Sequence, residues 1–271
     1  MGTGDGVAPD AGHRCRAWTT IGYHKALKLS SFAEIKHKAL EKQVLNSADI
    51  IIVTSKTTKT EFEALTSKPI EVITNGYDVE KIEKQALDIK FTLAHIGSFL
   101  SERNPEILWQ ALNELVSENV NFKNDFCLKL IGATSQEVFD TIASYQLGDY
   151  VQNLGYVSHT EAVVHQRKSQ VLLLIEIDSE DTKSIIPGKL FEYMVSERPI
   201  IAIGPKDSDF AEIIASTNTG VFFTYDQKEK LKALLLKYYQ EYQNQNLKVN
   251  AVGLQQYSRK NLTQQLVKLI S

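Results

Sequence analysis

Residues 171–204 read VLLLIEIDSEDTKSIIPGKLFEYMVSERPIIAIG, and this stretch decides the fold. It begins and ends with short apolar runs, Val171–Ile175 and Ile200–Ile203. Pro187-Gly188 between them is a turn that should open a helix. Strands that are apolar at every position are buried on both faces, as in a parallel sheet covered by helices. The stretch therefore predicts a strand–helix–strand unit with a right-handed connection.

The same alternation extends over most of the chain. Apolar, β-branched runs occur at Ile50–Thr54, Ile70–Thr74, Thr92–Ile96, Cys127–Ile131, Val151–Leu154, Val171–Ile175, Ile200–Ile203 and Gly220–Phe223. Helical segments separate most of them, and the clearest follows Asn104, which we predict to cap a helix with Pro105 in its first position. The pattern predicts an α/β fold with a doubly wound, six-stranded parallel sheet from about residue 91, with helices on both faces.

A domain boundary falls after the turn Asn75-Gly76, because two strands precede it and six follow it. Residues 1–16 are rich in glycine and lack periodicity, so we interpret them as an added or disordered leader outside the fold. Residues 17–78, with a helix over 31–47, are expected to be the remnant of an N-terminal domain, an incomplete second lobe with its crossover. Its apolar residues Phe32 and Ile35 should share one face. Residues 79–271 are expected to form a complete C-terminal domain.

Composition and charge argue against several classes of protein. The net charge is −3 and no polybasic run occurs, so we expect no nucleic-acid partner. Two cysteines give no disulfide framework, which favours the cytoplasm. The sequence shows no metal-ligand spacing, nucleophile–base pair, GxGxxG or P-loop. We therefore expect no metal and no cofactor, and catalytic residues stay unknown.

The first candidate site follows the strand Thr92–Ile96, because ligands bind at the carboxyl ends of strands in open α/β sheets. Gly97 permits close approach of a ligand. Arg103 should stand at the N-terminus of the helix capped by Asn104, where free backbone N–H groups and the guanidinium suit a diphosphate. The alternative is an ordinary turn glycine and a solvated arginine.

The second candidate site follows the strand Val171–Ile175. Lys189 and Glu192 are three residues apart and share a helix face, so the ammonium could bind a phosphate while the carboxylate accepts two ribose hydroxyls. The alternative is an exposed surface pair. We interpret Asp207-Ser208-Asp209 as a solvated turn rather than a metal–nucleotide clamp, and His95 as a core histidine with its hydrogen bonds satisfied.

Four blocks of sequence, in this order, resemble the family 4 glycosyltransferases of the two-Rossmann-domain type, the GT-B fold. ADIIIVTS at 48–55, followed by ITNGYD at 73–78, is similar to that family's crossover between domains. The other three resemble its phosphate loop, its base-facing loop and its diphosphate–ribose motif. They are Ile96-Gly97 through Arg103-Asn104, Leu154-Gly155-Tyr156-Val157 and Ile186–Met194.

The resemblance implies the Rossmann-like donor-binding domain of a retaining glycosyltransferase. Such an enzyme transfers a sugar from a nucleotide diphosphate sugar to a polysaccharide, lipid-linked or other glycan acceptor, without an essential metal. Arg103 and Lys189 would hold the diphosphate and Glu192 the ribose. The substrate-binding residues expected on this basis are Gly97, Ser98, Arg103, Gly132, Gly155, Val157, Ser184, Ile186, Pro187, Gly188, Lys189, Leu190 and Glu192.

Two positions depart from the family's pattern. Ser98 replaces the first arginine of the phosphate loop, and Ser184 replaces a glutamate that approaches the donor sugar, eight positions before Glu192. Because most of the acceptor-binding lobe is not among these residues, we expect weak donor binding and no appreciable transfer. Two alternatives stay open: a module that binds a nucleotide sugar without transferring it, and a nucleotide-sugar epimerase.

The resemblance also indicates a cellular role. The subgroup whose motif resembles Ile186–Met194 implies a function in cell-envelope polysaccharide biosynthesis, in the cytoplasm at the inner face of the membrane. Peripheral membrane association would then depend on the N-terminal domain. The resemblance further implies that the last helix, near residues 259–270, crosses back to lie against the smaller lobe.

Overall fold

The computed structural model describes residues 29–78 and 85–270, and the first of these ranges contains a small two-stranded sheet. Strands β1 (Ile51–Val53) and β2 (Ile70–Val72) pair in parallel. Helices α1 (Ser31–Ser47) and α2 (Lys56–Glu63) accompany them. One apolar cluster joins these elements, and it consists of Leu45, Ile51, Val53, Phe62 and Ile70.

The helix predicted over residues 31–47 is confirmed, but its predicted inward face is wrong. Phe32 is 78% exposed and Ile35 is 68% exposed. The buried residues of α1 are Glu41 and Leu45, four positions apart, so the helix turns a different stripe toward the small sheet. Sequence hydrophobicity alone does not identify the packed face when only the second half of a helix meets the core.

Strands and helices alternate along the rest of the chain. They are β3 (Phe91–Ile96), α3 (Glu106–Glu118), α4 (Val120–Asp125), β4 (Phe126–Ile131), α5 (Gln136–Ser144), β5 (Val151–Gly155), α6 (His159–Lys168), β6 (Val171–Ile175), α7 (Lys189–Met194), β7 (Ile200–Ile203), α8 (Asp209–Thr217), β8 (Gly220–Phe223), α9 (Lys228–Gln243) and α10 (Arg259–Ile270). Short 3₁₀ turns occur at Ser101–Arg103, Gly148–Tyr150, Glu180–Thr182 and Leu254–Tyr257.

The large sheet has six strands, all parallel, in the order β5-β4-β3-β6-β7-β8. The predicted six-stranded parallel sheet is therefore confirmed. The chain runs outward from β3 through β4 to β5 and then returns to β6 on the other side of β3. The carboxyl ends of β3 and β6 are thus the topological switch point, where this architecture opens a crevice for ligands.

Both faces of the central strands β3, β4, β6 and β7 are buried, as the continuous apolar runs predicted, whereas the edge strands β5 and β8 are partly exposed. Phe91 and Leu93 face a cluster built with α3 and α9, whereas Ala94 and Ile96 face a second cluster built with α7 and α8. Successive residues of a strand point to opposite faces, so one apolar strand supplies both clusters. Tyr238 and Tyr239 are also buried in the first cluster.

The caps of two helices differ in kind. Ser158 and Glu161 form a capping box at the start of α6, whereas the predicted cap of α3 is wrong. Asn104 does not cap α3, whose N-cap is Pro105 without a side-chain hydrogen bond. The Asn104 side chain instead accepts from Trp109 Nε1 at 2.7 Å and donates to Thr141 Oγ1 at 2.8 Å. The oxygen and the nitrogen of the Asn104 carboxamide are therefore engaged by Trp109 and Thr141 and do not cap the helix.

The start of α10 contacts the crossover segment rather than the strands of the small sheet. Tyr77 N donates to Tyr257 O at 3.1 Å, and Arg259 N donates back to Tyr77 O at 2.9 Å. The Arg259 guanidinium also lies 3.0 Å from the Asp78 carboxylate. The small sheet is joined to α8 by an ion pair between Lys56 and Glu212. These contacts tie the crossover to the end of the chain.

A largely buried ion pair anchors the segment that leads into β3. Asp88 Oδ2 accepts from Lys129 Nζ at 2.6 Å and from Thr92 Oγ1 at 2.9 Å. The Asp88 side chain is 13% exposed and the Lys129 side chain is 9% exposed. Gln170 Nε2 donates to Asp88 O at 2.7 Å. Asp88 therefore joins the start of β3, the middle of β4 and the residue that precedes β6.

Candidate functional site

Three neighbouring strands of the large sheet end in glycines with left-handed backbones, which we call the glycine edge. Gly97, Gly132 and Gly155 follow or end β3, β4 and β5, with φ of 118°, 114° and 63°. Gly97 N donates to Ile131 O at 2.7 Å, and Gly132 N donates to Gly155 O at 2.6 Å. A Cβ at position 132 would lie 2.6 Å from Gly97 O. The carboxyl edge of these strands therefore presents backbone without side chains.

Lys189 lies directly over this edge. It is the first residue of α7, and its Nζ is 2.9 Å from Nε2 of His95 on β3. A Cβ built on Gly97 would lie only 3.4 Å from the same Nζ. The residue after β3 therefore leaves room for the ammonium, and the helix after β6 delivers it there. Lys189 is thus placed at the switch point, as predicted.

Arg103 reaches the same region but is held by a carboxylate that the sequence did not single out. Its Nε and Nη2 donate to Glu176 Oε1 at 3.2 and 3.1 Å. Glu176 immediately follows β6, and its side chain is 2% exposed. Ile177 N also donates to Glu176 Oε1, at 2.9 Å, and Tyr225 Oη donates to Glu176 O at 2.9 Å. The ion pair therefore ties together the loops on the two sides of the switch point.

The predicted position of Arg103 at a helix N-terminus is wrong. Arg103 ends the 3₁₀ turn Ser101–Arg103, and α3 begins at Glu106. What brings Arg103 to the switch point is its pairing with Glu176. Within the described part of the chain, no hydrogen bond engages Nη1 of Arg103, so this guanidinium nitrogen is available to a ligand.

The surroundings of Lys189 change its protonation. Burial lowers the pKa of Lys189 to about 7; the nearby Arg103 lowers it as well, and Glu176 raises it. Burial, followed by the charges of Lys189 and Arg103, holds the pKa of His95 well below its ordinary value. His95 is therefore neutral at neutral pH, whereas Lys189 can be either charged or neutral. With Lys189 charged, the Arg103, Glu176 and Lys189 side chains sum to one positive charge.

Glu192 does not share its surroundings with Lys189, although both belong to α7. Its Oε2 accepts from Gln166 Nε2 at 2.9 Å. Glu192 and Gln166 line a cavity of about 200 Å³ between α6, α7 and the crossover. Its other lining residues are Gly76, Tyr77, Asp78, His159, Val163, Arg167, Val195 and Arg259. The structure thus brings Arg103 and Lys189 together at the switch point, and Glu192 lies about one helical turn further along α7, beside the crossover.

The remaining predicted residues fall into two groups. Leu190 is fully buried in the second core cluster, so its side chain does not line the site. Val157 and Ile186 are partly buried against the same cluster and fix the loops that carry them. The others, Ser98, Ser184, Pro187 and Gly188, are exposed or half-buried in the loops that follow β3 and β6.

The prediction for His95 is also wrong in part. The ring is fully buried, as expected of a core histidine, but its Nδ1 has no hydrogen-bond partner in the part of the chain that the structure describes. Its Nε2 contacts Lys189 instead of a core group. Strand alternation predicts that His95 lies on the same face of β3 as Phe91 and Leu93, near the end of the strand. Glu176 also had a signal in the sequence, because it is a carboxylate directly after an all-apolar strand at the switch point.

A second cavity, of about 390 Å³, lies beside the Asp207-Ser208-Asp209 turn. Asp209 accepts from Thr57 N at 3.1 Å, so part of this turn holds the small sheet. Over residues 29–78 and 85–270, no three His, Cys, Asp or Glu side chains are grouped so as to hold a metal ion. In the same ranges, each helix is too short or too polar to cross a bilayer.

Two families of known sequence match the chain. The family described as glycosyl transferases group 1 matches residues 90–241, and the family described as glycosyltransferase family 4 matches residues 7–81. The first range contains Gly97, Arg103, Glu176 and Lys189. No protein of a curated sequence collection matches the chain.

Solved structures with the same fold agree with the family matches. HepE of Anabaena, solved in complex with UDP, gives a TM-score of 0.66 at 14% identity, over 87% of this chain and 67% of HepE. Sucrose-phosphate synthase from Thermosynechococcus elongatus gives 0.63 at 16% identity, over 92% of this chain and 65% of the synthase. The pneumococcal O-GlcNAc transferase GtfA, solved with UDP and GlcNAc, gives 0.61 at 18% identity, over 87% of this chain and 47% of GtfA. The matched region is thus about half to two thirds of each of these chains.

Proposed function

The chain belongs to the group 1 glycosyl transferases with a GT-B fold, and we propose that it binds the diphosphate of a nucleotide sugar over Gly97, between Arg103 and Lys189. The observation that carries this proposal is the convergence of two cationic side chains at the switch point. One comes from the loop after β3 and the other from the helix after β6. Between them lies a strand end without a side chain, so a diphosphate can approach the backbone closely.

The two cations have complementary roles in this proposal. Arg103 is held rigidly by Glu176 and offers Nη1 to a phosphate oxygen, which gives a directed, charge-assisted hydrogen bond. Lys189 offers a compact ammonium over Gly97. Together they stabilise the negative charge that grows on the diphosphate as the sugar leaves, in surroundings of low dielectric constant. The positive charge that stabilises the diphosphate comes from the Arg103 and Lys189 side chains, so the proposed transfer uses neither a metal nor a cofactor.

The base and the ribose of the donor are assigned from the relatives and from the loops beside the diphosphate site. UDP is the nucleotide in the structures of HepE and GtfA, which supports a uridine donor for this chain. We assign the base to the backbone of the loop 155–157, and the ribose hydroxyls to Glu192. We further propose transfer with retention to a glycan or lipid-linked acceptor in envelope polysaccharide synthesis, by an enzyme acting on the cytoplasmic side of the membrane.

A second candidate function is a module that binds a nucleotide sugar without transferring it. Ser184 favours this candidate, because it stands where the family places a carboxylate near the donor sugar. Glu176 does not replace that carboxylate, since it is buried and occupied by Arg103. The two functions are separated by measuring nucleotide release from the donor with and without an acceptor extract: stimulation by the extract indicates transfer, and its absence indicates binding alone.

Donor binding is tested by thermal unfolding in the presence of UDP, GDP, dTDP and ADP sugars. We expect a UDP-sugar to raise the melting temperature, because a ligand at about a hundred times its dissociation constant stabilises the folded state by about 2.7 kcal/mol. Lys189→Ala should abolish the increase, whereas Lys237→Ala, which changes an exposed lysine of α9, should keep it. An unchanged melting temperature with every nucleotide sugar at millimolar concentration would contradict the proposed function.

A further inference from the structure

His95 carries an unusual combination of features for a core residue. Its ring is fully buried, and no atom of residues 29–78 and 85–270 hydrogen-bonds to its Nδ1, although buried polar atoms are nearly always hydrogen-bonded. Its ring lies 4.4 Å, centroid to centroid, from that of Phe99. An apolar ring would fit these surroundings without an unpartnered nitrogen. Among the described residues, the imidazole makes its polar contact with Lys189 Nζ, at 2.9 Å, which an apolar ring could not provide.

The donor and acceptor roles in this hydrogen bond depend on the protonation of both side chains. Burial and the charges of Lys189 and Arg103 lower the pKa of His95, so the ring stays neutral. Lys189 Nζ can donate to Nε2 both as an ammonium and as a neutral amine, and the ring hydrogen then lies on Nδ1. His95 therefore holds Lys189 at one place in either protonation state.

We propose that His95 positions Lys189 over Gly97 in both protonation states, so that the lysine takes up a proton from solvent when a nucleoside diphosphate binds. This inference rests on the proposed function. Three groups face Lys189: His95 from β3, Arg103 from the 3₁₀ turn and Glu176 from the end of β6. Of these, Arg103 disfavours the ammonium and Glu176 favours it. An arriving diphosphate adds negative charge, so the bound state contains the ammonium.

The direction of the pH dependence follows from this arrangement. In the free protein, the pKa of Lys189 is about 7. The bound diphosphate raises it, because an opposite charge nearby favours the charged form. The affinity for the nucleoside diphosphate is therefore highest below pH 7 and declines as the pH rises through 7. Above pH 7, binding must bring one proton from solvent to Lys189 Nζ. No bond of the nucleotide is made or broken in this step.

The test is the affinity for UDP-glucose as a function of pH. UDP-glucose is the suitable probe because its two phosphates lack the terminal ionisation that a free phosphate group undergoes near pH 6. We expect the dissociation constant to rise about tenfold or more between about pH 6.5 and about pH 8.5. Calorimetry at about pH 8, in two buffers with different ionisation enthalpies, should show uptake approaching one proton. A flat profile without proton uptake would overturn the inference.

Variants of His95 separate positioning from support of the fold. His95→Phe keeps an aromatic ring but removes the acceptor. A hydrogen bond from an ammonium is stronger than one from a neutral amine, so the loss disfavours the charged lysine. The decline in affinity should therefore begin at lower pH, with about a tenfold weaker affinity at about pH 7.5. His95→Gln keeps an acceptor and should restore much of the wild-type profile. Tyr193→Phe is the control, since Tyr193 is equally buried and bonds the Ile96 backbone rather than Lys189. A wild-type profile in His95→Phe would exclude the positioning role.

The remaining outcomes are also decisive. If His95→Phe does not fold, Lys189→Arg replaces it as the test, because a guanidinium stays charged over the whole range and should make binding independent of pH. A pH-dependent Lys189→Arg variant would then exclude Lys189 as the group that takes up the proton. If the wild-type protein does not bind UDP-glucose at either pH, the proposed uridine donor fails and this inference fails with it. Binding without proton uptake contradicts the inference alone.

Discussion

Replacement of Asp88 by alanine should lower the free energy of unfolding by about 3 kcal/mol, because it leaves the largely buried ammonium of Lys129 without its partner. Thr92 and Gln170 also bond to Asp88, so the entry to β3 loses its connection to β4 and β6. Urea denaturation followed by circular dichroism measures the change. A loss below about 1 kcal/mol would place this pair with ordinary surface ion pairs and contradict the expectation.

Two variants serve as controls for Asp88→Ala. Glu34→Ala removes the partner of Lys38 in an ion pair that is more than half exposed, and it should cost less than about 1 kcal/mol. The double replacement Asp88→Ala with Lys129→Met removes both charges and fills the space with an apolar side chain. It should recover much of the loss, because the cost of the single variant comes from the unpaired charge.

Replacement of Arg103 by alanine should change both stability and binding. It leaves the buried carboxylate of Glu176 without its partner, so we expect a loss of about 3 kcal/mol in the free energy of unfolding. It also removes a charge-assisted hydrogen bond to the diphosphate, which corresponds to at least about a tenfold weaker affinity for a nucleotide sugar. Chemical denaturation and a binding titration measure the two effects separately.

The double variant Arg103→Ala with Glu176→Gln distinguishes the two effects. The neutral amide at position 176 removes the buried charge, so stability should return while nucleotide affinity stays low. Lys237→Ala is again the control for loss of an exposed positive charge elsewhere. If Arg103→Ala binds a nucleotide sugar as tightly as the wild type, Arg103 is not part of the diphosphate site.

The central strands of the sheet could be predicted nearly to their ends, because they are apolar at most positions and such strands are buried on both faces. Val171–Ile175, Ile200–Ile203 and Gly220–Phe223 have the predicted bounds. The helix after Arg103 was predicted one residue early, because the Asn104 side chain bonds to Trp109 and Thr141 instead of capping the helix. The face of α1 could not be predicted, because its burial depends on which part of the helix meets the small sheet.

The candidate site was predictable in its position but not in its hydrogen bonds. Gly97, Arg103 and Lys189 follow strands that meet at the switch point, so the order of the elements was enough to bring them together. The pairing of Arg103 with Glu176 joins residues 73 positions apart, and the contact of Lys189 with His95 joins residues 94 apart. Pairings of this kind depend on side-chain directions at the sheet edge, which periodicity does not specify. The separation of Glu192 from Lys189 has the same origin.

The central claim is that a nucleoside diphosphate binds at the carboxyl ends of β3 and β6. Titration of the ¹⁵N-labelled chain with UDP, followed by backbone amide chemical shifts, tests it most directly. We expect the largest changes at Gly97 and Gly132, whose amides lie along the edge that receives the phosphates, and at Arg103, whose side chain contacts them. Large changes around the cavity lined by Lys206 and Asp207, with Gly97 and Gly132 unaffected, would contradict the account.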